Sequence, residues 1–280
     1  MNQDMSFPPF GGSTTALTDR LRLRLLHLGG TSIDQRWGGH DYTSPHWRIY
    51  LNLDDGAFGR CGPRETAFQR GHLYVVPAWL PWTGRCRGTV RHLNALLDLP
   101  NLPRERVARC CTRILHVGAP GQALADDWLA LGLALAGGQT GTAQSARGYA
   151  LCYAALTQAF VQLGAEADAL PAAPSDQRLS EVLGWAERNL DQALSLAGIA
   201  AQARCSQAEL SRRFHAALGT SPGRWLRERR LATAADLLRS TAENLGTIAQ
   251  RCGYRDRSRF SKAFAAVMGC GPATWRRRQR

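Results

Sequence analysis

The stretch from Ser206 to Trp225, SQAELSRRFHAALGTSPGRW, returns fifty residues later as DRSRFSKAFAAVMGCGPATW, from Asp256 to Trp275. Six positions keep their character in both copies, namely Leu210 with Phe260, Phe214 with Phe264, Leu218 with Met268, Gly219 with Gly269, Pro222 with Pro272 and Trp225 with Trp275. Upstream, the Ile-Ala pair at 199–200 recurs at 248–249, an offset of 49, so the later copy has one extra residue in its turn. This repetition indicates an internal duplication of one structural unit.

Each copy is predicted to form a helix-turn-helix. In the first copy, Leu196 to Ala203 forms a short helix, and Arg204 with Cys205 forms a tight turn. Ser206 and Glu209 then make the S-x-x-E capping box that begins a second helix. Two helices joined by so short a turn form a helix-turn-helix.

The second helix of each copy has one apolar and one polar face. Apolar residues at i, i+4, i+7 and i+8 predict a core-facing stripe. The stripes are Leu210, Phe214, Ala217 and Leu218 in helix 206–218, and Phe260, Phe264, Val267 and Met268 in helix 256–268. The residues left facing outward, and free to contact a partner, are Ala208, Ser211, Arg212, His215, Arg257, Ser258, Ser261 and Lys262.

A long helix is predicted to join the two copies. Ser221 as N-cap and Pro222 at the first helical position open it, and it runs to about Arg239. A helix of roughly 18 residues is about 27 Å long. Because successive turns of DNA are roughly 34 Å apart, the duplication predicts contacts in two successive major grooves on one face of a duplex.

The distribution of charge points to the same partner. The chain carries a net charge of +13, with 35 basic and 22 acidic residues. Residues 177–280 hold 19 basic and 8 acidic residues, whereas residues 1–176 hold 16 and 14. The C-terminal part is therefore predicted to bind a polyanion, although a solvated basic face is the alternative interpretation.

One long composite pattern carries a family resemblance. It comprises A-x4-S-x3-L-x3-F-x4-G-x-S-P-x2-W-L at 201–226, R-L-A-x-A-x2-L-L at 230–238, I-A-x2-C-G-Y-x-D-x-S-x-F-S-K-x-F at 248–264 and G-x-G-P-x2-W-R at 269–276. This pattern closely resembles the DNA-binding domain of the AraC/XylS family of transcriptional regulators. The resemblance implies double-stranded DNA as partner, a small-molecule effector, a homodimer, and RNA polymerase if the protein is an activator. Ala208 departs from it, since family members often carry a larger base-contacting side chain there.

The N-terminal half is predicted to be a small barrel or jelly roll. Short strand-like segments separated by turn residues lie at 47–53, 57–60, 65–69, 73–76 and 90–97, and a half-exposed strand at 20–28 precedes them. The phrase RGHLYVVPAWLPW at 70–82 is similar to the cupin-like sensor barrels of sugar-responsive AraC-type regulators. A mixed aromatic and polar pocket for a sugar or related metabolite is predicted from Trp37, His46, Arg48, Tyr50, Trp79, Trp82 and His92.

Two helices are predicted to follow the barrel, one through Leu124 to Leu135 and one from Ala146 to Leu163. The second helix is apolar on much of its circumference, so something must cover it. Packing across the outside of the barrel is one interpretation, and self-pairing of the helix Ala146 to Leu163 in a dimer, with Leu156 at the contact, is the one that the family resemblance implies. An Ala/Pro-rich segment then divides an α+β chain into two domains, with a cupin-like sensor and dimerisation domain at 1–163, a linker at 164–176 and an all-α DNA-binding domain at 177–280.

No enzyme signature is present in the sequence. The histidines lack ligand spacing, so no metal and no other cofactor is predicted. With no signal peptide and no long apolar run, we expect a cytoplasmic, nucleoid-associated protein that does not enter a membrane. Two alternatives stay open, namely a cupin-type metalloenzyme fused to a DNA-binding module, and a constitutive DNA-binding protein.

Overall fold

The computed structural model of the chain describes residues 22–38, 43–164, 176–192 and 194–279. Within them the strands are β1 Arg24–Ile33, β2 Trp47–Asn52, β3 Ala57–Cys61, β4 Arg64–Phe68, β5 Leu73–Val76, β6 Thr83–Cys86, β7 Val90–Asp98 and β8 Leu115–Gly118. The helices are α1 Arg104–Cys110, α2 Ala123–Ala136, α3 Thr142–Leu163, α4 Gln177–Arg188, α5 Leu196–Gln202, α6 Gln207–Leu218, α7 Pro222–Ser240, α8 Leu245–Arg251, α9 Arg257–Met268 and α10 Pro272–Gln279. A strand-rich N-terminal part followed by a helical C-terminal part confirms the α+β prediction.

Two antiparallel sheets make up the N-terminal part. The larger has the order β1-β7-β2-β5-β8, and the smaller has the order β4-β3-β6. The five segments predicted at 47–97 are all strands, with ends within one residue of those predicted. The start of the strand predicted at 20–28 lies outside the described residues, and β1 runs on to Ile33. The prediction missed β6, β8 and α1, which are only 4 to 7 residues long.

The helices α2 and α3 cover the outer face of the larger sheet. In α3 the buried residues follow a helical period, and Leu156 is 0% exposed. The packing interpretation of this helix is therefore correct for Leu156, and the interpretation of Leu156 as a dimer contact is wrong. The solvent face of α3 instead carries Tyr149, Tyr153 and Val161, which are 40%, 38% and 69% exposed.

The C-terminal helices are divided between two hydrophobic cores. The first helix-turn-helix packs with α4 around Leu210, Phe214 and Leu218. The second packs with α7 around Phe260 and Phe264, and that cluster is continuous with the helix-covered face of the larger sheet. Consequently the spacer helix α7 belongs to the same core as the sheet.

Only Gly164 and Asp176 of the predicted linker fall within the described residues, and the predicted N-terminal arm at 1–13 lies outside them. No described helix combines the length and apolarity that a membrane span requires. The described part also holds no group of three or more His, Cys, Asp or Glu side chains placed to share a metal ion.

Candidate nucleic-acid interface

The helix α6 is fixed at both ends by its own sequence. The Ser206 hydroxyl accepts from the backbone N–H of Glu209 at 3.1 Å, and Gly219 closes the helix in the left-handed conformation. The reciprocal half of the predicted capping box is wrong, because the Glu209 carboxylate accepts from Arg213 Nε at 2.7 Å. Arginine on the next turn offers that carboxylate a charge-assisted partner, which outcompetes a neutral backbone N–H.

The four residues predicted to face outward on α6 lie on its accessible side. Ala208, Arg212 and His215 are exposed, and Ser211 is half-buried. His215 Nδ1 donates to the Ser211 carbonyl oxygen at 2.8 Å, which holds that ring along the helix. Gln207, which the prediction omitted, is also exposed at the first position of the helix.

The helix α9 repeats this design with a different cap. The Asp256 carboxylate accepts from the backbone N–H groups of Ser258 at 2.8 Å and Arg259 at 3.3 Å. These bonds, that from Ser258 first, hold the pKa of Asp256 below its ordinary value. Arg257, Ser258 and Lys262 are exposed, as predicted.

Ser261 is half-buried on the same face of α9. Arg255 and Arg259 are exposed at the same helix end, and the prediction missed them. Their signal in the sequence was positive charge beside the N-cap, the end of a recognition helix that meets base edges.

The extra residue of the second copy has a defined place. Arg204 and Gly253, which are 49 residues apart, both adopt the left-handed conformation, with φ of 51° and 73°. The N-caps Ser206 and Asp256 are 50 residues apart. The insertion therefore lies between the left-handed residue and the N-cap, where it lengthens the turn without changing the helices.

The spacer helix α7 has the predicted caps and length. Ser221 Oγ accepts from the Arg224 N–H at 3.4 Å, and Pro222 occupies the first turn. Its 19 residues give a helix about 28 Å long. Since Leu226 packs with the first unit and Leu231 with the second, α7 fixes the relation between them.

Relatives share this C-terminal part. Residues 199–278 match a family model described as a helix-turn-helix domain. The transcriptional activator RhaS of Klebsiella pneumoniae is 35% identical over 98 residues, 35% of this chain and 35% of its own. The right origin-binding protein of Escherichia coli is 36% identical over 99 residues, 35% of this chain and 34% of its own. The chain thus spans about a third of the length of these curated relatives.

A solved structure of a transcriptional regulator from Chromobacterium violaceum, described as AraC-type and DNA-binding, is 30% identical. The match covers 38% of this chain and 94% of that chain, with a TM-score of 0.36. The family rests on the sequence matches, namely the helix-turn-helix model over residues 199–278 and the 35–36% identity of this C-terminal part to RhaS and the right origin-binding protein. The chain belongs to the AraC/XylS family.

The whole chain also resembles ToxT of Vibrio cholerae. The likeness covers 90% of this chain and 97% of ToxT, with 9% identity and a TM-score of 0.55. Another ToxT structure holds an unsaturated fatty acid. At this identity the likeness shows the fold alone, namely a sheet-containing N-terminal part joined to a helical C-terminal part.

In this AraC/XylS-family chain, four of the seven predicted ligand-site residues meet inside the sandwich. The ring centroid of Trp37 lies 6.1 Å from Tyr50, 5.8 Å from Trp82 and 6.1 Å from His92. Burial lowers the pKa of His92 to about 4, so its ring is neutral near pH 7. Phe68, 5.7 Å from Tyr50, joins the cluster and was not predicted.

The other three predicted residues lie elsewhere. His46 Nε2 is 3.2 Å from Asp236 Oδ1 of α7, and Arg48 donates to the His46 carbonyl oxygen at 3.5 Å. Trp79 lies under the Arg104 guanidinium at 5.1 Å. Thus the structure brings His46 to the junction with the AraC-type domain and away from the ring cluster.

A buried ionic cluster occupies this junction. Asp98 of β7 accepts from both terminal guanidinium nitrogens of Arg229 of α7, Nη1 at 3.0 Å and Nη2 at 2.6 Å. Glu187 of α4 takes the other edge of Arg229, and Arg24 of β1 reaches Asp98 at 3.3 Å. Burial opposes ionisation of Asp98, yet Arg229 outweighs it and holds the pKa of Asp98 below its ordinary value. The sequence could not reveal this pair, because its members are 131 residues apart.

Proposed function

We propose that this protein is a cytoplasmic, nucleoid-associated transcription regulator that binds two successive major grooves of double-stranded DNA. The observation that carries the proposal is the duplicated, outward-facing polar surface of α6 and α9, joined by one packed spacer helix. The basic excess of residues 177–280 supplies the attraction to phosphate that such binding needs.

The first test is selection of a binding site by the full chain from a randomised duplex pool. Footprinting of the selected duplex should show two protected patches about one helical turn, roughly 34 Å, apart on one face. A single protected patch would contradict the use of both helices.

The two helices should differ in what they contribute. Arg212 can pair bidentately with a guanine edge, so Arg212→Ala should cost roughly 1–3 kcal/mol on the selected duplex and relax preference at one base position. Lys262 presents a point charge, so Lys262→Ala should weaken all duplexes alike and lower the salt slope by about 1. Affinities for selected and random duplexes across a salt series measure both effects. Equal loss on both duplexes for Arg212→Ala would mean that α6 lies on the backbone.

A small-molecule effector is the second part of the proposal. The ring cluster of Trp37, Tyr50, Trp82 and His92 supplies the recognition surface, and the Asp98–Arg229 junction supplies a physical route to α7. A thermal-shift screen of sugars, related metabolites and fatty acids tests it. A ligand present at 100 times its dissociation constant adds roughly 2.7 kcal/mol to the free energy of unfolding.

Because the Trp82 side chain is buried, its removal would leave a cavity. The variant Trp82→Phe keeps an aromatic ring at this position and therefore tests the site with less damage to the core. It should reduce the effector-dependent shift while leaving DNA affinity unchanged. If no compound stabilises the protein and truncation of residues 1–163 leaves regulation unchanged, the protein is constitutive. Stoichiometric metal in the purified protein would favour the metalloenzyme alternative.

We also propose that the protein is a homodimer, with 1–163 as sensor and dimerisation domain, 164–176 as linker and 177–280 as DNA-binding domain. The exposed apolar residues of α3 support this, since the Tyr149 and Val161 side chains are 40% and 69% exposed. Val161→Glu should lower the sedimentation coefficient without loss of folding. If the protein is an activator, RNA polymerase is a further partner, which a reporter and a pull-down with polymerase would test.

A further inference from the structure

We propose that Glu209 is a positioning residue that holds Arg212 for base recognition, and that a chain of alternating charges anchors Glu209. The inference rests on the proposed function, since it concerns how α6 discriminates among DNA sequences.

The chain of charges runs from α4 into α6. Asp176 Oδ2 accepts from Arg213 Nη1 at 3.0 Å, and Arg213 Nε donates to Glu209 Oε1 at 2.7 Å. The second carboxylate oxygen of Glu209 pairs with Arg212 Nη2. The Glu209 carboxylate is thus paired with both Arg213 and Arg212, and the chain of charges ends at the Arg212 guanidinium.

Exposure is highest at that end, since the Asp176 side chain at the other end is only 34% exposed. The Arg212 side chain is 77% exposed, whereas those of Glu209 and Arg213 are 26% and 28% exposed. Asp176 is anchored in turn, because its Oδ1 accepts from the Leu179 N–H as the N-cap of α4. The anchored end is therefore attached to a second helix, and of these four side chains only that of Arg212 is mostly exposed.

The geometry fits a base-reading arginine. Side chains on a helix lean toward its N-terminus, and Glu209 lies one turn before Arg212 and Arg213. A recognition helix meets base edges with its N-terminal residues, so Glu209 draws Arg212 toward that end. Arginine offers five N–H donors, and one edge can stay on Glu209 while the other pairs with guanine.

A carboxylate on the DNA-facing side also has a cost that suits this role. It repels phosphate, so it weakens binding to every sequence alike. An arginine without a tether can move to a phosphate, where it attracts DNA but distinguishes no base. Glu209 therefore exchanges general affinity for discrimination, and this sets it apart from a residue that only stabilises α6.

The test compares Glu209→Gln with wild type in the full chain, on the selected duplex and on a random duplex. The affinity for random duplex should rise, and the ratio of selected to random affinity should fall by about 3- to 10-fold, part of the discrimination of one bidentate contact. Preference at the Arg212 base position should relax. Glu181→Gln removes the same charge from α4, where Glu181 accepts from Gln177 at 3.1 Å, and should leave the ratio unchanged.

The same change in an Arg212→Ala background completes a double-mutant cycle. There Glu209→Gln should no longer alter base preference, because the side chain that it positions is gone. Unchanged base preference of Glu209→Gln in the wild-type background, with a normal melting temperature, would overturn the proposal. Relaxation at a different base position, independent of Arg212, would instead mean that Glu209 contacts a base itself. If wild type does not discriminate between the two duplexes, the proposed function fails first.

Discussion

Asp98→Asn should uncouple the sheet domain from the spacer helix α7 with little change in shape. The Asp98 side chain is 3% exposed and takes two hydrogen bonds from Arg229, whose side chain is 9% exposed. Removal of one partner of a buried ion pair costs about 3–5 kcal/mol, because a charge is left without compensation. Glu187 still holds the other edge of Arg229 at 2.5 Å, so we expect the lower end, about 3 kcal/mol.

The assay is urea unfolding followed by tryptophan fluorescence, together with DNA affinity with and without effector. The double variant Asp98→Asn/Arg229→Met should lose less than the sum of the two single losses, since each charge of the pair is costly when the other is left alone; Glu187, 18% exposed, loses its partner in both variants that lack Arg229, so its cost cancels from this comparison. Asp54→Asn is the matched surface control, because the Arg91–Asp54 pair is 63% and 34% exposed, and it should change stability little. In the functional assay, Asp98→Asn should retain DNA binding and lose the effector response.

Two results would refute this reasoning. A loss for Asp98→Asn no larger than that for Asp54→Asn would mean that the buried pair does not hold the junction. A double variant whose loss equals the sum of the two single losses would mean that Asp98 and Arg229 are not coupled.

Three further predictions concern single positions. Burial raises the pKa of Asp236 from 3.8 to about 7, so wild type loses stability relative to Asp236→Asn as pH rises through that window. The melting temperature of the variant minus that of wild type should therefore increase between these pH values, and a constant difference would count against it. Leu156→Ala should cost roughly 2–5 kcal/mol in urea unfolding, because its side chain is fully buried, and a loss below about 1 kcal/mol would be inconsistent with that packing. Arg204→Gly should stabilise the protein by up to about 1 kcal/mol, since a non-glycine residue at a φ of 51° is strained, and a lower melting temperature would show that the Arg204 side chain makes a stabilising contact.

Local signals were sufficient for the helices α6, α7 and α9. Caps such as Ser206 and Asp256, the proline at the start of α7 and the apolar spacing of α6 and α9 act within a few residues along the chain. The physical interactions that form these helices are local as well, which is why their ends and faces could be predicted. The capping box failed at Glu209 because a side chain one turn ahead competed for its carboxylate.

Period-two alternation was weak in the sheet domain. All six residues of β2 are buried, since one face of the strand meets α2 and Phe160 of α3 and the other meets the smaller sheet. Composition and turn residues therefore located the strands, but not which side chains face each other. For that reason the predicted ligand site mixed the ring cluster of Trp37 and Trp82 with His46, which faces α7.

The sequence by itself determined the duplication, the two outward faces and the family, because each is written in residues that are close along the chain or repeat at a fixed offset. Only the tertiary structure decided that Leu156 is core, that Arg229 is clamped between Asp98 and Glu187, and that His46 lies against the spacer helix. The physical reason is distance along the chain. A buried ion pair between residues 131 apart depends on how the sheets and helices pack together, and no local pattern in the sequence encodes that packing.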